Sequence, residues 1–268
     1  MGHRTIIAGI IAAAFFANPA LSQQVPAYRA PRTADGKPDL NGIWQALNEG
    51  NWNIEAHSAG FGTVPSLGAM NAVPPGAGIV EGGTLPYKPE ALAKKKENDA
   101  NRGKGDPEAK CYRLGVPRSM YAPYPFQIIQ STDYIMIVFQ FANALRTVYM
   151  TDYKPAPAES WMGWSNGHWE GETLVIETTG FNDQTWFDRA GNYHSNAMKV
   201  VERISARSPD TLNYEATIDD PNIYTRPWKI SFPLYRRVEK DARLLEFKCI
   251  EYTEELLYGH LRKQSGNP

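Results

Sequence analysis

Short β-patterned segments separated by turn residues follow one another from residue 126 to residue 252 of this 268-residue chain. Alternating or β-branched runs of this length, with Asp, Asn, Gly and Pro between them, are typical of antiparallel hairpins. The pattern predicts strands over residues 126–130, 134–141, 145–151, 172–179, 196–207, 211–218, 228–238 and 244–252. We therefore expect a mainly β fold, in which an antiparallel sheet is strongly curved or closed into a lipocalin-like barrel.

The first third of the chain lacks this pattern. Residues 48–85 are rich in Gly, Ala, Pro and Asn without a clear period, and they predict an irregular excursion over the sheet. One helix is predicted near residues 89–102, because Pro89 suits a first turn and glycines follow Arg102. Trp44 belongs to a Gly-x-Trp pattern of the kind that opens lipocalin-like barrels, although an ordinary core tryptophan would look the same.

The N-terminus has the composition of a secretory signal peptide. Arg4 precedes an apolar run over residues 5–17, and small side chains precede a cut ahead of Gln23. The alternative is a membrane anchor, but this run is too short to span a bilayer comfortably. We predict a periplasmic or secreted protein without a stable membrane anchor. The predicted segments are a signal peptide (1–22) and a single domain (23–268) made of an irregular wrap (23–110), a β core (111–252) and a tail (253–268).

Charge and cysteine content narrow the possible partners. A net charge of −1 provides no basic surface for nucleic acid. The chain has two cysteines, Cys111 and Cys249. An even count in an exported protein favours a disulfide, and two buried free thiols are the alternative.

Ionisable side chains are concentrated in residues 160–207, which hold two of the five histidines. Histidine titrates near neutral pH, and a neighbouring carboxylate can fix its tautomer. We therefore expect His194 to transfer protons, Asp188 or Asp183 to orient it, and Arg118 or Tyr124 to hold an oxyanion or hydroxyl. A loop histidine bonded to a backbone carbonyl would fit the same pattern.

Aromatic side chains occur mostly in predicted turns rather than in strand centres. Such rings must either be covered by loops or line a pocket. We expect a pocket at one barrel end, built from residues 180–195, a turn over residues 161–169 and residues 111–124. Its predicted ligand-binding residues are Trp161, Trp164, Trp186, Tyr121, Tyr124 and Tyr193.

Metal and cofactor sites are not predicted. His168, Glu170 and Glu172 alternate and would share one face of an extended backbone, but Gly167 and Gly171 predict a turn there. No recognised metal-ligand spacing, nucleophile elbow, phosphate loop or dinucleotide fingerprint is present.

Several long blocks resemble those of a large, uncharacterised family of secreted bacterial proteins. They include CYRLGVPR, PYPFQIIQ, SWMGWSNGHWEGETLVIETTGFND and TWFDRAGNYHS, within a match that runs over residues 31–249. The resemblance implies membership and no activity. The chain departs from it after the second cysteine, where it has IEYTEELLYGH in place of an expected Asn-rich segment. If this segment lines the site, the ligand differs.

Three functions fit these residues. The first is a cofactor-free enzyme, of the lyase, isomerase or hydrolase type, that acts on a hydrophobic or aromatic small molecule by acid–base chemistry. The second is a non-catalytic, lipocalin-like carrier of a hydrophobic ligand, which needs the aromatic pocket alone. The third is a carbohydrate-binding or cell-envelope module, which would place several tryptophans on an exposed flat face. The oligomeric state is not predicted.

Overall fold

The computed structural model describes Gly2, residues 28–62 and residues 64–262. Most of the predicted signal peptide and the cut ahead of Gln23 lie outside the described residues. The strands are β1 (Gly42–Ala46), β2 (Gly60–Phe61), β3 (Ala72–Val73), β4 (Phe126–Gln130), β5 (Tyr134–Phe139), β6 (Leu145–Tyr149), β7 (Trp164–Glu170), β8 (Thr173–Thr179), β9 (Lys199–Ser208), β10 (Thr211–Asp219) and β11 (Trp228–Arg236). The α-helices are α1 (Ala91–Ala100), α2 (Arg102–Gly105), α3 (Arg118–Tyr121) and α4 (Thr253–Arg262).

Nine strands form a closed barrel in the order β1-β11-β10-β9-β8-β7-β6-β5-β4. Strand β1 closes it, because Trp44 lies opposite both Arg236 of β11 and Phe126 of β4. The predicted mainly β fold with a closed barrel is therefore confirmed. One junction differs from the others, since β6 and β7 run parallel while every other neighbouring pair is antiparallel.

The predicted strand over residues 244–252 is wrong. Residues 242–250 have no regular secondary structure, and they lie against the turn that joins β5 and β6. The backbone N–H of Leu245 donates to Gln140 Oε1 at 3.0 Å, and Asn143 Nδ2 donates to the Phe247 carbonyl at 3.4 Å. Because β1 already occupies the free edge of β11, the barrel offers this segment no strand partner.

The predicted turn over residues 161–169 is also wrong for most of its length, because β7 begins at Trp164. Gly167 allows the strand to form at this point. A Cβ atom there would approach Val148 Cγ1 and Met150 Sδ to 2.7 Å, which is closer than real contacts permit. The missing side chain therefore lets β7 approach the end of β6.

The barrel interior is packed with side chains. Trp44, Ile137, Tyr214 and other apolar residues inside are fully buried, and they form one continuous core. A polar group crosses this core, where Arg146 Nη1 of β6 donates to Glu202 Oε1 of β9 at 3.0 Å. The Tyr214 hydroxyl donates to the same carboxylate oxygen at 2.8 Å. The interior is thus filled by apolar side chains and by a polar group whose members hydrogen-bond to one another.

The irregular wrap is attached to the barrel end by helices and by a disulfide. The predicted helix near residues 89–102 is present as α1, which continues into the short α2. The predicted disulfide between Cys111 and Cys249 is confirmed, with 5.7 Å between the Cα atoms. It joins the wrap to the segment that follows the barrel rather than to a last strand. Among the described residues, no helix combines the length and the apolar character needed to cross a membrane.

Candidate ligand-binding site

Two cavities lie at one end of the barrel, where β1, β5 and β8 finish and β4, β6 and β9 begin. The first, which we call the end cavity, has a volume of about 300 Å³ and lies under residues 247–254. Its lining includes Trp52, Asp106, Glu108, Tyr124, Phe141, Arg189, Phe247 and Glu254. The second, the wall cleft, has a volume of about 320 Å³ and opens on the side of the barrel. Its lining includes Arg113, Arg146, Tyr149, Trp161, Met162 and Trp164.

Three aromatic rings form one wall of the end cavity. Tyr124 packs against Phe141 and Phe247 with ring centroids 5.2 and 5.4 Å apart, and the two phenylalanines are 4.9 Å apart. Each ring comes from a different segment, namely the turn before β4, the turn after β5 and the segment after the barrel. This wall offers an apolar surface that suits a hydrophobic or aromatic ligand.

A buried ion network contributes Asp106, Glu108 and Arg189 to the lining of the end cavity. Arg118 of α3 donates to Asp106 Oδ1 at 2.9 Å and to Glu108 Oε2 at 2.8 Å. Arg189 holds the same Glu108 carboxylate in a two-point contact, with Nε and Nη2 donating at 2.7 and 3.0 Å. Arg118, Asp106 and Glu108 are almost fully buried. Their charges are therefore balanced within the protein, as buried charges require.

The network keeps Glu108 and Arg189 charged at neutral pH. Burial alone would raise the pKa of Glu108, but the charges of Arg189 and Arg118 outweigh it and lower that pKa to about 2. Burial would likewise lower the pKa of Arg189, and the Glu108 charge overrides this and raises it. The Glu108–Arg189 pair is thus fixed as an ion pair, and its part in the cavity is to hold shape and polarity rather than to exchange protons.

Trp52 and the beginning of α4 lie beside the Arg189 side chain. The guanidinium carbon of Arg189 lies 4.5 Å from the centre of the Trp52 ring, and Nη1 is 3.6 Å from Glu254 Oε1 of α4. The Tyr252 backbone N–H donates to the Ala109 carbonyl at 2.8 Å. Part of the segment IEYTEELLYGH, residues 250–260, therefore lines this cavity.

His194 is buried between the core and the barrel-end loops. Its Nε2 lies 2.6 Å from Thr185 Oγ1 and its Nδ1 lies 2.9 Å from the Ser195 carbonyl. A carbonyl can only accept, so Nδ1 carries the proton and Nε2 accepts from the threonine hydroxyl. Burial lowers the pKa of His194, which keeps the ring neutral. Because His194 lines neither cavity, its acid–base role stays a prediction.

The two aspartates predicted to orient His194 do not bond to it within the described part of the chain. Asp188 is fully buried, and its Oδ2 accepts from the Ile54 backbone N–H at 2.9 Å and from Asn192 Nδ2 at 2.7 Å. Burial raises the pKa of Asp188 to about 6, against these hydrogen bonds. Asp183 is exposed and accepts from Gln184. Asp188 therefore ties the wrap to the β8–β9 connection.

The remaining predicted ligand residues are dispersed. Tyr124 lines the end cavity, and Trp161 and Trp164 line the wall cleft. Tyr121 is buried, with its hydroxyl donating to the Phe187 carbonyl at 2.7 Å, and Tyr193 donates to the Ala91 carbonyl at 3.1 Å. The Trp186 ring lies against α2, where a Cβ on Gly105 would approach it to 3.0 Å. The three predicted segments thus contribute to two cavities, not one.

Most residues that line the end cavity were not among the sequence candidates, and they include Trp52, Asp106, Glu108, Arg189 and Phe247. One signal was available for two of them. Asp106 and Glu108 precede Cys111 closely, so the disulfide would hold both carboxylates beside whatever segment carries Cys249. Arg189 directly follows Asp188, and its sequence context gives no sign that it pairs with Glu108.

Two further observations bear on the chemistry. Among the described residues, no group of three or more His, Cys, Asp or Glu side chains is placed to hold a metal ion. When the sequence is compared with known proteins, no protein-family model matches the chain and no curated protein matches it significantly. The functional conclusion therefore depends on the geometry.

Proposed function

We propose that this protein binds a compact hydrophobic or aromatic small molecule in the end cavity. The observation that carries the proposal is that one cavity is lined both by an apolar three-ring wall, Tyr124, Phe141 and Phe247, and by the charge-balanced Glu108–Arg189 pair. A volume of about 300 Å³ suits a molecule of one to three rings. The polar side then fixes the orientation of a hydroxyl, carbonyl or similar head group.

Binding is favoured over proton transfer because the ionisable pair that lines the cavity is locked. Glu108 has a pKa lowered to about 2, and its carboxylate already accepts from two arginines. Catalytic acids and bases instead have pKa values near the working pH. Of the three functions considered from the sequence, the non-catalytic carrier of a hydrophobic ligand is the one that this geometry supports best.

The proposed carrier differs from a lipocalin-like one in where the ligand lies. The barrel interior is filled by its apolar core and by the Arg146–Glu202 pair, so we place the ligand outside the core, under residues 247–254. The Cys111–Cys249 disulfide, the Tyr252–Ala109 hydrogen bond and the Arg189–Glu254 ion pair hold this segment in place. Ligand entry then requires the segment to move, and not the barrel to open.

We also infer that the chain is exported to an oxidising compartment. The support is the signal-peptide composition of residues 1–22 together with the cysteine pair at bonding distance. N-terminal sequencing of protein recovered outside the cytoplasm is the measurement. A first residue at or near Gln23 would support export, and full-length chain found only in the cytosol would oppose it.

The binding proposal is tested with N-phenyl-1-naphthylamine, an uncharged fluorescent molecule of three rings. We expect saturable binding at one site of the oxidised protein. Phe247→Ala removes one ring of the wall and should weaken binding about tenfold, since burying such a ring contributes about 1.5–3 kcal/mol. Leu245→Ala is the matched control, because Leu245 lies in the same irregular segment, is largely exposed and lines neither cavity.

A second variant distinguishes the loss of the binding surface from the loss of the folded structure. Ala109→Trp should fill the end cavity from its edge and block the probe while the barrel keeps its stability, because Ala109 is only partly buried. Equal affinities for wild type, Phe247→Ala and Ala109→Trp would refute the end cavity as the binding site. Absence of saturable binding in the wild type would refute the proposal itself.

A further inference from the structure

The wall cleft exists because the barrel wall is split at its one parallel junction. Strands β6 and β7 are paired only at Val148 with Ser165 and at Tyr149 with Asn166. The chain leaves the barrel between them, over residues 150–163, and returns in the same direction. Near the first residues of both strands, β6 and β7 are not paired with each other, and the cleft occupies the gap between them.

Gly163 shapes the edge of the cleft. It has a φ of +66°, and a Cβ there would approach Thr178 Cγ2 to 2.7 Å and Phe181 Cε1 to 2.9 Å. Only glycine adopts this backbone and this close approach without strain. The glycine lets residues 160–163 turn sharply, so that Trp161 stands over the cleft while Trp164 enters the barrel wall.

Flat aromatic surfaces line the cleft. The rings of Tyr149 and Trp164 are stacked, with centroids 4.5 Å apart and planes 16° apart. Trp161 packs against Tyr112 at 5.1 Å on the other side. The volume of about 320 Å³ accommodates one or two fused rings. A planar ligand can therefore lie against indole faces.

The charged side chains that line the cleft are all positive. Arg113 is exposed and, within the described part of the chain, has no ion-pair partner. Arg146 lies at the floor, where Glu202 balances its charge from inside the barrel. The cleft lining contains no acidic side chain. A guanidinium without a partner beside aromatic faces is a site for a carboxylate.

We propose that the wall cleft is a second binding site, specific for a planar aromatic carboxylate. The ring lies against Trp161 and the Tyr149–Trp164 stack, and the carboxylate pairs with Arg113. This site is independent of the end cavity, because the two cavities share no lining residue.

The test compares 2-naphthoate with 2-naphthylmethanol, which has the same rings and no charge. Isothermal titration of the oxidised protein should give tighter binding of the carboxylate by up to about fivefold, as expected for one solvent-exposed ion pair. Arg113→Gln should remove this difference and leave the fold intact, because Arg113 is exposed. Trp161→Ala should weaken both compounds. Raising the salt concentration should weaken only the carboxylate.

Matched controls decide between the cleft and other sites. Arg243→Gln removes another exposed arginine that lines neither cavity and should change nothing. Phe247→Ala should leave 2-naphthoate binding unchanged. The proposal is overturned if the two compounds bind equally, if neither binds, if Arg113→Gln and Arg243→Gln have the same effect, or if Phe247→Ala abolishes carboxylate binding.

Discussion

The end cavity and the wall cleft lie at the same end of the barrel and have nearly equal volumes, about 300 and 320 Å³. They differ in how their charges are balanced. In the end cavity, Arg189 is already held by Glu108 and faces Glu254. In the wall cleft, Arg113 has no such partner among the described residues. Size and aromatic content alone would predict the same ligand for both, whereas charge balance predicts different ones.

The difference has a structural origin. The end cavity is built from distant segments, so its buried charges had to be paired for the chain to fold. The wall cleft is a gap in the sheet. Its exposed arginine, Arg113, stands in solvent, where an unpaired charge is tolerated. The charges of the end cavity are therefore balanced within the protein, whereas the charge of Arg113 in the wall cleft is not.

The largest expected effect comes from removing the disulfide. Replacing Cys111 and Cys249 together by alanine frees a loop whose ends are 138 residues apart. The chain-entropy relation then gives a loss of stability of up to about 5 kcal/mol. We expect N-phenyl-1-naphthylamine binding to fall more than about tenfold, because Cys249 and its neighbours line the end cavity.

The wall cleft should survive the same change. The backbone around Cys111 stays attached, since its N–H donates to the Glu108 carbonyl at 3.0 Å and the Tyr112 N–H donates to the Pro107 carbonyl at 3.0 Å. Arg113 thus keeps its place. Chemical unfolding measures the stability, and titration with each probe measures the sites. Equal losses at both sites would contradict the separation drawn between them.

Removing the charge of Glu108 should make the end cavity resemble the wall cleft. Glu108→Gln leaves Arg118 and Arg189 without part of their buried counter-charge, and we expect a loss of about 3 kcal/mol in the free energy of unfolding. The cavity should also gain affinity for 2-naphthoate, which the wild-type cavity does not favour. Unchanged carboxylate binding in this variant would show that charge balance does not set the ligand preference.

The acid side of the stability profile gives a second measure of Glu108. Its pKa, lowered to about 2, lies below the ordinary value of 4.5. Its contribution to stability is therefore complete above about pH 4.5 and is lost as the pH falls towards 2. We expect the wild type to lose more stability than Glu108→Gln over this interval. Parallel profiles would contradict the ion pair.

The barrel could be predicted from the sequence because strand patterns are local. Strands β4, β10 and β11 have clear alternation, and their observed bounds agree closely with the predicted ones. β7 was missed because Gly167 reads as a turn, whereas its role depends on Val148 of another strand. The segment after β11 was assigned a strand because local pattern cannot reveal that β1 has already taken the edge.

The candidate site was predictable only in part. Aromatic residues in predicted turns pointed to the barrel end, where Tyr124, Trp161 and Trp164 line cavities, although Trp164 belongs to strand β7 and not to a turn. The ion network was predictable only in part, because the disulfide places Asp106 and Glu108 near Cys249, whereas no local pattern pairs Glu108 with Arg189, 81 residues away. Residue type suggested His194, but burial, which sequence does not show, sets its environment.

The smallest expected effect concerns His194, which lines neither site. His194→Ala leaves the Thr185 hydroxyl and the Ser195 carbonyl without these partners, so we expect a loss of about 2 kcal/mol in stability. Binding of both probes should change by less than about twofold. His168→Ala is the matched control, because that ring is about half exposed on β7 and should contribute less than about 0.5 kcal/mol.

The pH dependence of His194 separates a structural ring from a catalytic one. Because burial lowers its pKa, the unfolded chain takes up a proton near pH 6.5 while the folded chain does not. The free energy of unfolding should therefore decrease as the pH falls below 6.5, and this component should be missing in His194→Ala. A general acid or base would instead lower turnover of a bound substrate about 10²–10⁴-fold on substitution, with binding retained. If the imidazole signal of His194 titrates near or above pH 6.5 in the folded protein, this would contradict the buried, neutral ring and favour the catalytic hypothesis.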